Sequence, residues 1–311
     1  MRTRLLFAAV LGCLLASCST PKAPRMVILG LDGLGQVYLT DSLQIPVMRG
    51  LMEHGSYTLH KRSVLPSASA INWASIFNGL PTELHGYTRW NSERPDLPCP
   101  YVAPDGSIPT LFSLYRQQRP RGRIAGLFEW EGVKHCVDTL AFDSWQPMAT
   151  DTLDNARTTR AVIDCLTKEE DRPDLLFVHF DSPDHTGHAV GYGTPEYAAK
   201  IEEMDSLIGR ILDACKAAGI YEETVFVIVS DHGGIHKKHG KATLEEMEAP
   251  FIVCGPGIRE GNALDGLVMQ YDVAATLAAI LGLETPGYWR GRALPVLESV
   301  DWVRVYRQKN Q

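Results

Sequence analysis

The sequence predicts an α/β fold with a doubly wound, mainly parallel central sheet and helices on both faces. Two observations predict this class. Apolar runs rich in β-branched residues alternate along the chain with stretches that have helical spacing. Several of these runs are apolar at consecutive positions, which is typical of strands buried on both faces. The chain has 311 residues, 45% of them hydrophobic, and we expect a single domain over residues 25–300.

The individual elements follow from periodicity and from turn residues. Strands are predicted where short apolar runs are bounded by turns, at 25–31, 56–63, 123–128, 174–180, 225–229 and 250–254. Helices are predicted where apolar residues recur at helical spacing, at 45–54, 69–78, 108–118, 151–170, 195–219 and 271–281. Gly79 directly follows the second of these helices and is the residue type that commonly ends one. The proline-rich segment 95–109 is predicted to be a surface loop.

Residues 1–18 are predicted to be a lipoprotein signal peptide. Basic residues precede an apolar segment that is too short to span a membrane as a mature helix. The segment ends in the letters LASC, which resemble the lipobox of bacterial lipoproteins, so Cys18 is the expected lipidation site. Two alternatives stay open: a poorer lipobox that ends at Cys13, and an ordinary secretory signal that is cleaved between residues 16 and 19.

This signal places the protein in the cell envelope, anchored to the membrane on the periplasmic side of the outer membrane or at the cell surface. Residues 19–24 are expected to act as a tether, and residues 301–311 as a tail. In an oxidising compartment Cys99 and Cys136 are a candidate disulfide, and their pairing is left open. The remaining cysteines of the domain, expected to be buried thiols, are Cys165, Cys215 and Cys254.

The stretch 225–240, VFVIVSDHGGIHKKHG, carries the strongest signal of a functional site. A fully apolar strand ends in Asp231 and His232, and ligands of open α/β sheets bind beyond the carboxyl ends of the strands. Adjacent side chains at a strand end diverge, so sharing one ligand needs the sharp turn that the two following glycines permit. With His239 nearby, these donors suit zinc. The alternatives are a capping Asp with solvated histidines, and His236 in place of His239.

Two other strand ends supply further donors. Asp32 follows the first strand. Asp184 and His188 lie four residues apart in DSPDHTGH, where a helical turn would put both side chains on one face. His185 is the alternative ligand in this motif. The six donors together are sufficient for two divalent ions.

Ser69 is the candidate nucleophile. It lies at the predicted start of the helix 69–78, where backbone N–H groups and the helix dipole favour an anion. A hydroxyl that a metal holds at this position can attack phosphorus. Ser69 could instead serve only as a helix cap, and Ser67 is the alternative nucleophile.

The motifs around these residues resemble the alkaline phosphatase superfamily, and most of all its nucleotide pyrophosphatase/phosphodiesterase branch. They cover nearly all of the mature chain in the family's order: ILGLDG (28–33), SAINWASIFNG (69–79), LPTELHGY (80–87), DSPDHTGH (181–188), MDSLIGRIL (204–212), VSDHGG (229–234) and KHG with MEAPFIVCGPG (238–257). The resemblance implies a three-layer sandwich and two divalent ions, zinc by preference. It assigns Asp184, His188 and His239 to one ion. It assigns Asp32, Asp231 and His232 to the other, together with Ser69.

By the same resemblance, the reaction is hydrolysis of a phosphodiester or pyrophosphate bond through a phosphoseryl intermediate on Ser69. The backbone N–H of Ala70 is the implied oxyanion donor. Many relatives place a phosphate-binding Asn soon after the HG motif. Asn91 and the adjacent Arg89 are the candidates here, although the register differs by about one residue. The candidate substrate-pocket residues are the segment 90–145, with Trp90, Tyr101, Trp130 and Trp145, and the segment 192–197.

Other functions of the same fold stay open at this point. Phosphonate and phosphomonoester hydrolysis stay open, although monoesterases of the superfamily usually add an Arg and a third, magnesium site that we do not place here. A formylglycine sulfatase needs a Pro and an Arg that residues 69–73 lack. A catalytically silent envelope binding protein is a further alternative, although no site residue is missing. The expected partner is a small phosphorylated molecule such as a nucleotide, a lipid head group or a glycan phosphodiester. Nucleic acid is not expected as a partner, because the net charge is −7 and no basic block occurs. The sequence predicts no oligomeric state.

Overall fold

A single central sheet organises the protein. The computed structural model describes residues 24–103, 106–149 and 153–298. The strands within these segments are β1 (Arg25–Leu31), β2 (Gly55–Arg62), β3 (Ile124–Phe128), β4 (Ser144–Pro147), β5 (Leu175–Phe180), β6 (Thr224–Val229), β7 (Glu248–Cys254), β8 (Asn262–Ala263) and β9 (Val268–Met269). Their order across the sheet is β4-β3-β5-β1-β6-β7-β2-β8, and β9 also pairs with β2.

The middle of the sheet is parallel. β1 pairs in parallel with β5 on one side and with β6 on the other. Only β7, among the central strands, runs antiparallel to its neighbours β6 and β2. The predicted mainly parallel sheet is therefore confirmed. The carboxyl ends of β5, β1 and β6 lie side by side at one edge.

Helices cover both faces of the sheet. They are α1 (Pro46–Glu53), α2 (Ser69–Asn78), α3 (Thr82–His85), α4 (Leu111–Gln118), α5 (Asn155–Thr167), α6 (Asp184–Val190), α7 (Pro195–Ala217), α8 (Leu244–Met247) and α9 (Asp272–Ile280). Alternate residues of β1 enter two separate cores: Met26 and Ile28 pack with α2, α4 and α9, whereas Val27 and Leu29 pack with α1, α5 and α7. Because each central strand is buried on both faces, its sequence is apolar at most positions. The doubly wound, three-layer prediction is confirmed.

Differences from the predicted elements lie at boundaries and at the sheet edge. The helix predicted for 151–170 is shorter, and its N-cap is Asp154, whose side chain accepts from the backbone N–H of Arg157. The predicted loop after β5 contains α6. β4 was not predicted because its four residues are exposed and carry no apolar alternation.

Several sequence predictions lie outside the described residues. They are the signal peptide 1–18 with Cys18, nearly all of the tether, and the tail 301–311. In the described part of the chain, no helix has both the length and the apolar character that crossing a membrane requires.

Candidate metal centre and active site

The predicted donors gather at the edge where β1, β5 and β6 end. Asp32 directly follows β1, and Asp231 and His232 come two and three residues after the end of β6. The end of β5 leads into α6, which begins at Asp184. Parallel pairing of these strands brings chain segments that are about 150 to 200 residues apart into contact at one point.

Asp32, Asp231 and His232 form one group, here called the Asp231 cluster. The Nε2 atom of His232 lies 3.2 Å from Oδ2 of Asp231 and 3.5 Å from Oδ1 of Asp32. All three side chains are buried. The hydroxyl of Ser69 lies 3.2 Å from the same His232 nitrogen. The structure thus brings the candidate nucleophile to the group to which the resemblance assigns it.

Asp184, His188 and His239 form a second group, here called the Asp184 cluster. Asp184 and His188 lie on one face of α6, with 3.3 Å between Oδ2 and Nε2, as their spacing predicted. Nε2 of His239 lies 3.1 Å from Nε2 of His188 and 3.8 Å from Oδ1 of Asp184. The rings of His239 and His232 stack with their centroids 3.8 Å apart, so the two clusters adjoin.

Backbone carbonyls orient the three histidines. Nδ1 of His232 contacts the carbonyl of Gly233 at 2.8 Å, and Nδ1 of His188 contacts that of Lys237 at 3.0 Å. Nδ1 of His239 contacts the carbonyl of Ser67 at 3.0 Å. Because a carbonyl oxygen only accepts, each Nδ1 carries a hydrogen, and Nε2 is the nitrogen that each ring turns toward the clusters. This is the arrangement that orients histidine ligands in metal sites.

Close backbone packing holds the two clusters together. Gly33 has φ of 69°, and a Cβ on it would lie 2.8 Å from Cα of Asp184. Its N–H donates to Oδ1 of Asp231 at 3.1 Å, while the N–H of Asp184 donates to the carbonyl of Asp32 at 2.9 Å. A side chain at position 33 would separate these segments, so glycine is required there.

The titration of the carboxylates reflects their crowding. Burial, with the charge of Asp184 adding to it, raises the pKa of Asp32 to about 7. Burial also raises the pKa of Asp231, and the charges of Asp32 and Asp184 act in the same direction. Burial and the neighbouring His239 lower the pKa of His232. The hydrogen bond with Asp184 raises the pKa of His188 to about 9. The positive charges of the protein alone are therefore not sufficient to keep the carboxyl groups of Asp32 and Asp231 ionised at their usual pKa.

The donor set fits two divalent cations. Oδ1 of Asp32 and Oδ2 of Asp231 are buried, and neither has a hydrogen-bond partner among the described residues. Nε2 of His188 and Nε2 of His239 face each other at 3.1 Å, so a single bound cation could take both nitrogens as ligands. Carboxylate oxygen and imidazole nitrogen are donors that zinc accepts. Each cluster offers three donor residues whose ligand atoms lie within 4.8 Å of one another.

The helix α2 presents Ser69 at its first turn. The helix begins at Ser69, and Ala68 is the N-cap, so Ser69 is not the cap. The side chain of Asn72 bonds to the backbone of Val64, Pro66 and Ala68 and fastens the preceding turn. The alternative nucleophile, Ser67, donates its hydroxyl to the carbonyl of Lys241 and accepts from Gly240.

Two predicted substrate contacts have other surroundings in this structure. The backbone N–H of Ala70 donates to the carbonyl of Trp90 at 3.1 Å, so it is not free to bind an oxyanion. Asn91 is exposed and lies outside the pocket lining, because the turn after the HG motif points it away. Arg89 does line the pocket, but its guanidinium is paired with Asp96 and its side chain is 68% exposed.

The alternative histidines do not join the clusters. His185 lies 3.9 Å from Asp181 and borders the pocket. His236 adopts φ of 55°, and its carbonyl accepts from the backbone N–H of Tyr192. The structure therefore favours His188 and His239 as the sequence predicted.

A cavity of about 680 Å³ opens above Ser69. Its lining comprises Pro66, Ala68, Ser69, Thr88, Arg89, Trp90, Trp130, Asp181, Asp184, His185, His188, Lys238, His239 and Gly240. Trp90 and Trp130 stack with 6.5 Å between ring centroids and form one apolar wall.

Other predicted pocket residues lie elsewhere. Tyr101 stacks on Tyr288, and Trp145 stacks on Phe128. The segment 90–145, which the sequence suggested as a possible substrate-pocket insertion, contributes α4 and β3 to the core of the domain. Cys99 and Cys136 are both free thiols, and Sγ of Cys136 contacts the carbonyl of Ala70 at 3.4 Å, so the candidate disulfide is absent.

Sequence reasoning missed Trp73, His179 and Asp181, and it assigned Tyr192 to the substrate pocket rather than to a contact with Asp184. Tyr192 donates its hydroxyl to Oδ1 of Asp184. Trp73 and His179 each donate to Oδ2 of Asp32 at 3.0 Å. Asp181 borders the cavity, and burial together with the charge of Asp32 raises its pKa to about 8. The one available signal was His179 itself, a polar residue within an otherwise apolar strand.

Comparison with known proteins agrees with this geometry. The family model described as type I phosphodiesterase / nucleotide pyrophosphatase matches residues 26–249. Ectonucleotide pyrophosphatase/phosphodiesterase family member 1 of Homo sapiens is 24% identical over 219 residues, which are 68% of this chain and 24% of that protein. Venom phosphodiesterase of Macrovipera lebetinus is 22% identical over 231 residues, 70% of this chain and 27% of that protein. The chain spans about a quarter of the length of these curated relatives.

Solved structures share the fold at low sequence identity. Murine ectonucleotide pyrophosphatase/phosphodiesterase 5 superposes with a TM-score of 0.69 at 16% identity, covering 91% of this chain and 99% of that chain. A 2-O GAG sulfatase superposes with a TM-score of 0.68 at 17% identity, covering 88% and 73% of the two chains. The sheet and the adjoining donor clusters define an alkaline phosphatase-like α/β protein with a candidate metal centre. The chain belongs to the type I phosphodiesterase / nucleotide pyrophosphatase family.

Proposed function

We propose that this protein hydrolyses phosphodiester or pyrophosphate bonds of small phosphorylated molecules, with Ser69 as the nucleophile and two zinc ions as cofactors. One observation carries the proposal: the hydroxyl of Ser69 lies 3.2 Å from Nε2 of His232, beside two adjoining clusters of metal donors. The family match and the relatives named as phosphodiesterases support the bond type.

The residues of this chain would act as follows. Asp184, His188 and His239 would hold one ion, and the Asp231 cluster would hold the other. Bound divalent cations lower the pKa of a neighbouring hydroxyl and stabilise charge on phosphoryl oxygens. Oγ of Ser69 attacks phosphorus, the bond from phosphorus to the leaving oxygen breaks, and a phosphoseryl intermediate forms. Water then attacks the same phosphorus and releases Ser69. The apolar wall of Trp90 and Trp130 would hold the organic part of the substrate.

The test compares ester classes and serine variants. We expect purified protein loaded with zinc to hydrolyse bis-p-nitrophenyl phosphate faster than the p-nitrophenyl monoester, the phosphonate or the sulfate. Ser69→Ala should keep its zinc and lose turnover by at least about 10³-fold, because the attacking atom is gone. Acid-quenched wild type should carry phosphate on the peptide that contains Ser69. Full turnover by Ser69→Ala would refute the covalent mechanism.

Two controls sharpen the result. Ser67→Ala removes the alternative nucleophile and should still form the phosphoenzyme. A sulfate ester hydrolysed faster than any phosphate ester would instead support the sulfatase alternative. A preference for the monoester would support a phosphomonoesterase.

We also propose that the protein is anchored in the cell envelope through a lipid on Cys18. The support is the lipobox-like sequence at residues 15–18. Mass spectrometry of the mature N-terminus should find residue 18 acylated. An unmodified N-terminus between residues 16 and 19 would identify an ordinary secretory signal.

A further inference from the structure

Two buried N–H donors meet on one oxygen of Asp32. The indole Nε1 of Trp73 and the imidazole Nε2 of His179 each lie 3.0 Å from Oδ2 of Asp32. The side chains of Trp73 and His179 are fully buried, and Asp32 is 1% exposed. Neither donor belongs to the two clusters that the proposed function uses.

The direction of these bonds follows from the chemistry of the groups. An indole N–H only donates, and Asp32 as a metal ligand would be an ionised carboxylate, which only accepts. His179 therefore carries its hydrogen on Nε2. Its Nδ1 atom is buried and meets no hydrogen-bond partner within the described segments. His179 is thus oriented opposite to His188, His232 and His239, whose Nδ1 atoms meet backbone carbonyls and whose Nε2 atoms face the clusters.

The two oxygens of Asp32 consequently face different surroundings. Oδ2 is occupied by the two donors. Oδ1 lies 3.5 Å from Nε2 of His232 on the side of the Asp231 cluster, and no described group bonds to it. Without the donors, rotation of the carboxylate could place either oxygen, or both, on the cluster side.

We propose that Trp73 and His179 are positioning residues that make Asp32 a one-oxygen metal ligand through Oδ1. This inference rests on the proposed function, because it assumes a cation in the Asp231 cluster. Holding Oδ2 prevents two-oxygen coordination, which would fill a position that the substrate needs, since catalytic metal sites keep one position open. Packing supports the arrangement: the rings of Trp73 and His179 meet edge to face at 5.2 Å.

A competing role for His179 is metal ligation. Asp32, His179 and Asp181 lie close enough to hold a cation of their own. Two features disfavour it. The nitrogen of His179 that faces Asp32 carries a hydrogen, and the indole N–H of Trp73 approaches the same oxygen. A cation at that oxygen would lie against two N–H groups.

The test measures zinc affinity in addition to activity. Trp73→Phe removes one N–H with little change of shape, and His179→Leu removes the other. Zinc affinity is measured by competition with a chromophoric chelator, and zinc content by elemental analysis at saturating zinc. We expect each variant to weaken one of two zinc sites by about 10- to 100-fold while the content at saturation equals that of wild type. His179→Gln, which can still donate an N–H, should bind zinc more tightly than His179→Leu.

A matched control is available in the core. Trp289 is also a buried tryptophan, and its indole N–H bonds to nothing in the described part of the chain. Trp289→Phe should therefore keep wild-type zinc affinity, even if both Trp variants lose some stability in thermal unfolding. At saturating zinc, Trp73→Phe should lower kcat more than it raises KM.

The outcomes separate this inference from the proposed function. If wild type binds no zinc, the proposed function fails. If wild type binds zinc and Trp73→Phe and His179→Leu bind it equally tightly, only the positioning role is overturned. Loss of one whole metal equivalent by His179→Leu at saturating zinc would show that His179 is a ligand, which also overturns it.

Discussion

His85 provides a pH-dependent stability that can be calculated from its contacts. It lies at the end of α3, fully buried. Nδ1 accepts from the backbone N–H of Tyr87 at 3.1 Å, so Nε2 carries the hydrogen and faces Oγ of Ser75 at 3.0 Å. Ser75 in turn donates to the carbonyl of Leu80, a bond that fixes the C-terminal end of α2, the helix that begins at Ser69. A second proton on His85 would point at the N–H of Tyr87.

Burial accordingly lowers the pKa of His85 from 6.5 to about 3. Between these two values the unfolded chain binds a proton that the folded chain excludes, so stability falls as the pH is lowered from 6.5 toward 3. The slope is about 1.4 kcal/mol per pH unit. Lowering the pH from 6.5 to about 5 should therefore remove about 2 kcal/mol of unfolding free energy through this residue.

The assay is urea unfolding of chelator-treated protein, followed by tryptophan fluorescence from about pH 5 to 8, so that metal release does not contribute. His85→Asn can still accept from Tyr87 but does not titrate, so its stability should fall less steeply below pH 6.5. His54→Asn, at an exposed position, controls for the loss of a histidine. Parallel curves for wild type and His85→Asn over this range would refute the calculation.

Two further predictions concern the site. Asp231→Asn keeps the acceptor for the N–H of Gly33 and removes one of the crowded charges, so the metal-free variant should melt at or above the wild-type temperature. It should also lose most of the stabilisation that excess zinc gives wild type in thermal shift measurements, whereas an equal zinc shift would contradict Asp231 as a ligand. Trp90→Ala removes a side chain that is 58% exposed, so thermal stability should change little. Because the indole of Trp90 lines the cavity, its removal should raise KM for an aryl phosphodiester about tenfold with little change in kcat. An unchanged KM would show that Trp90 does not bind the substrate.

The positions of the central strands followed from local patterns. The runs 25–31 and 225–229 were predicted as strands, and the structure has them at Arg25–Leu31 and Thr224–Val229. A strand that is buried on both faces is apolar at nearly every position, so the signal is complete within a few residues. An exposed edge strand such as Ser144–Pro147 has no such requirement, and it was missed.

The set of candidate metal donors also followed from the sequence, because their chemistry and their place after strands are local facts, whereas their division into two groups came from the family resemblance. The contacts that loop residues make could not be predicted from the sequence in the same way. Asn91 was chosen by its distance from the HG motif, but it is the carbonyl of the preceding Trp90 that reaches the helix, and it takes the N–H of Ala70. A shift of one residue in a turn redirects every side chain after it.

By itself, therefore, the sequence determined the order of strands and helices and the residues able to bind a metal, since both depend on residue type and short spacing. Only the tertiary structure decided which atom meets which. Asp32, Trp73 and His179 are far apart in the chain, and their shared hydrogen bonds exist because α2 packs across the ends of β1 and β5. The two oxygens of one carboxylate are chemically identical, and only their surroundings in the folded chain make them different.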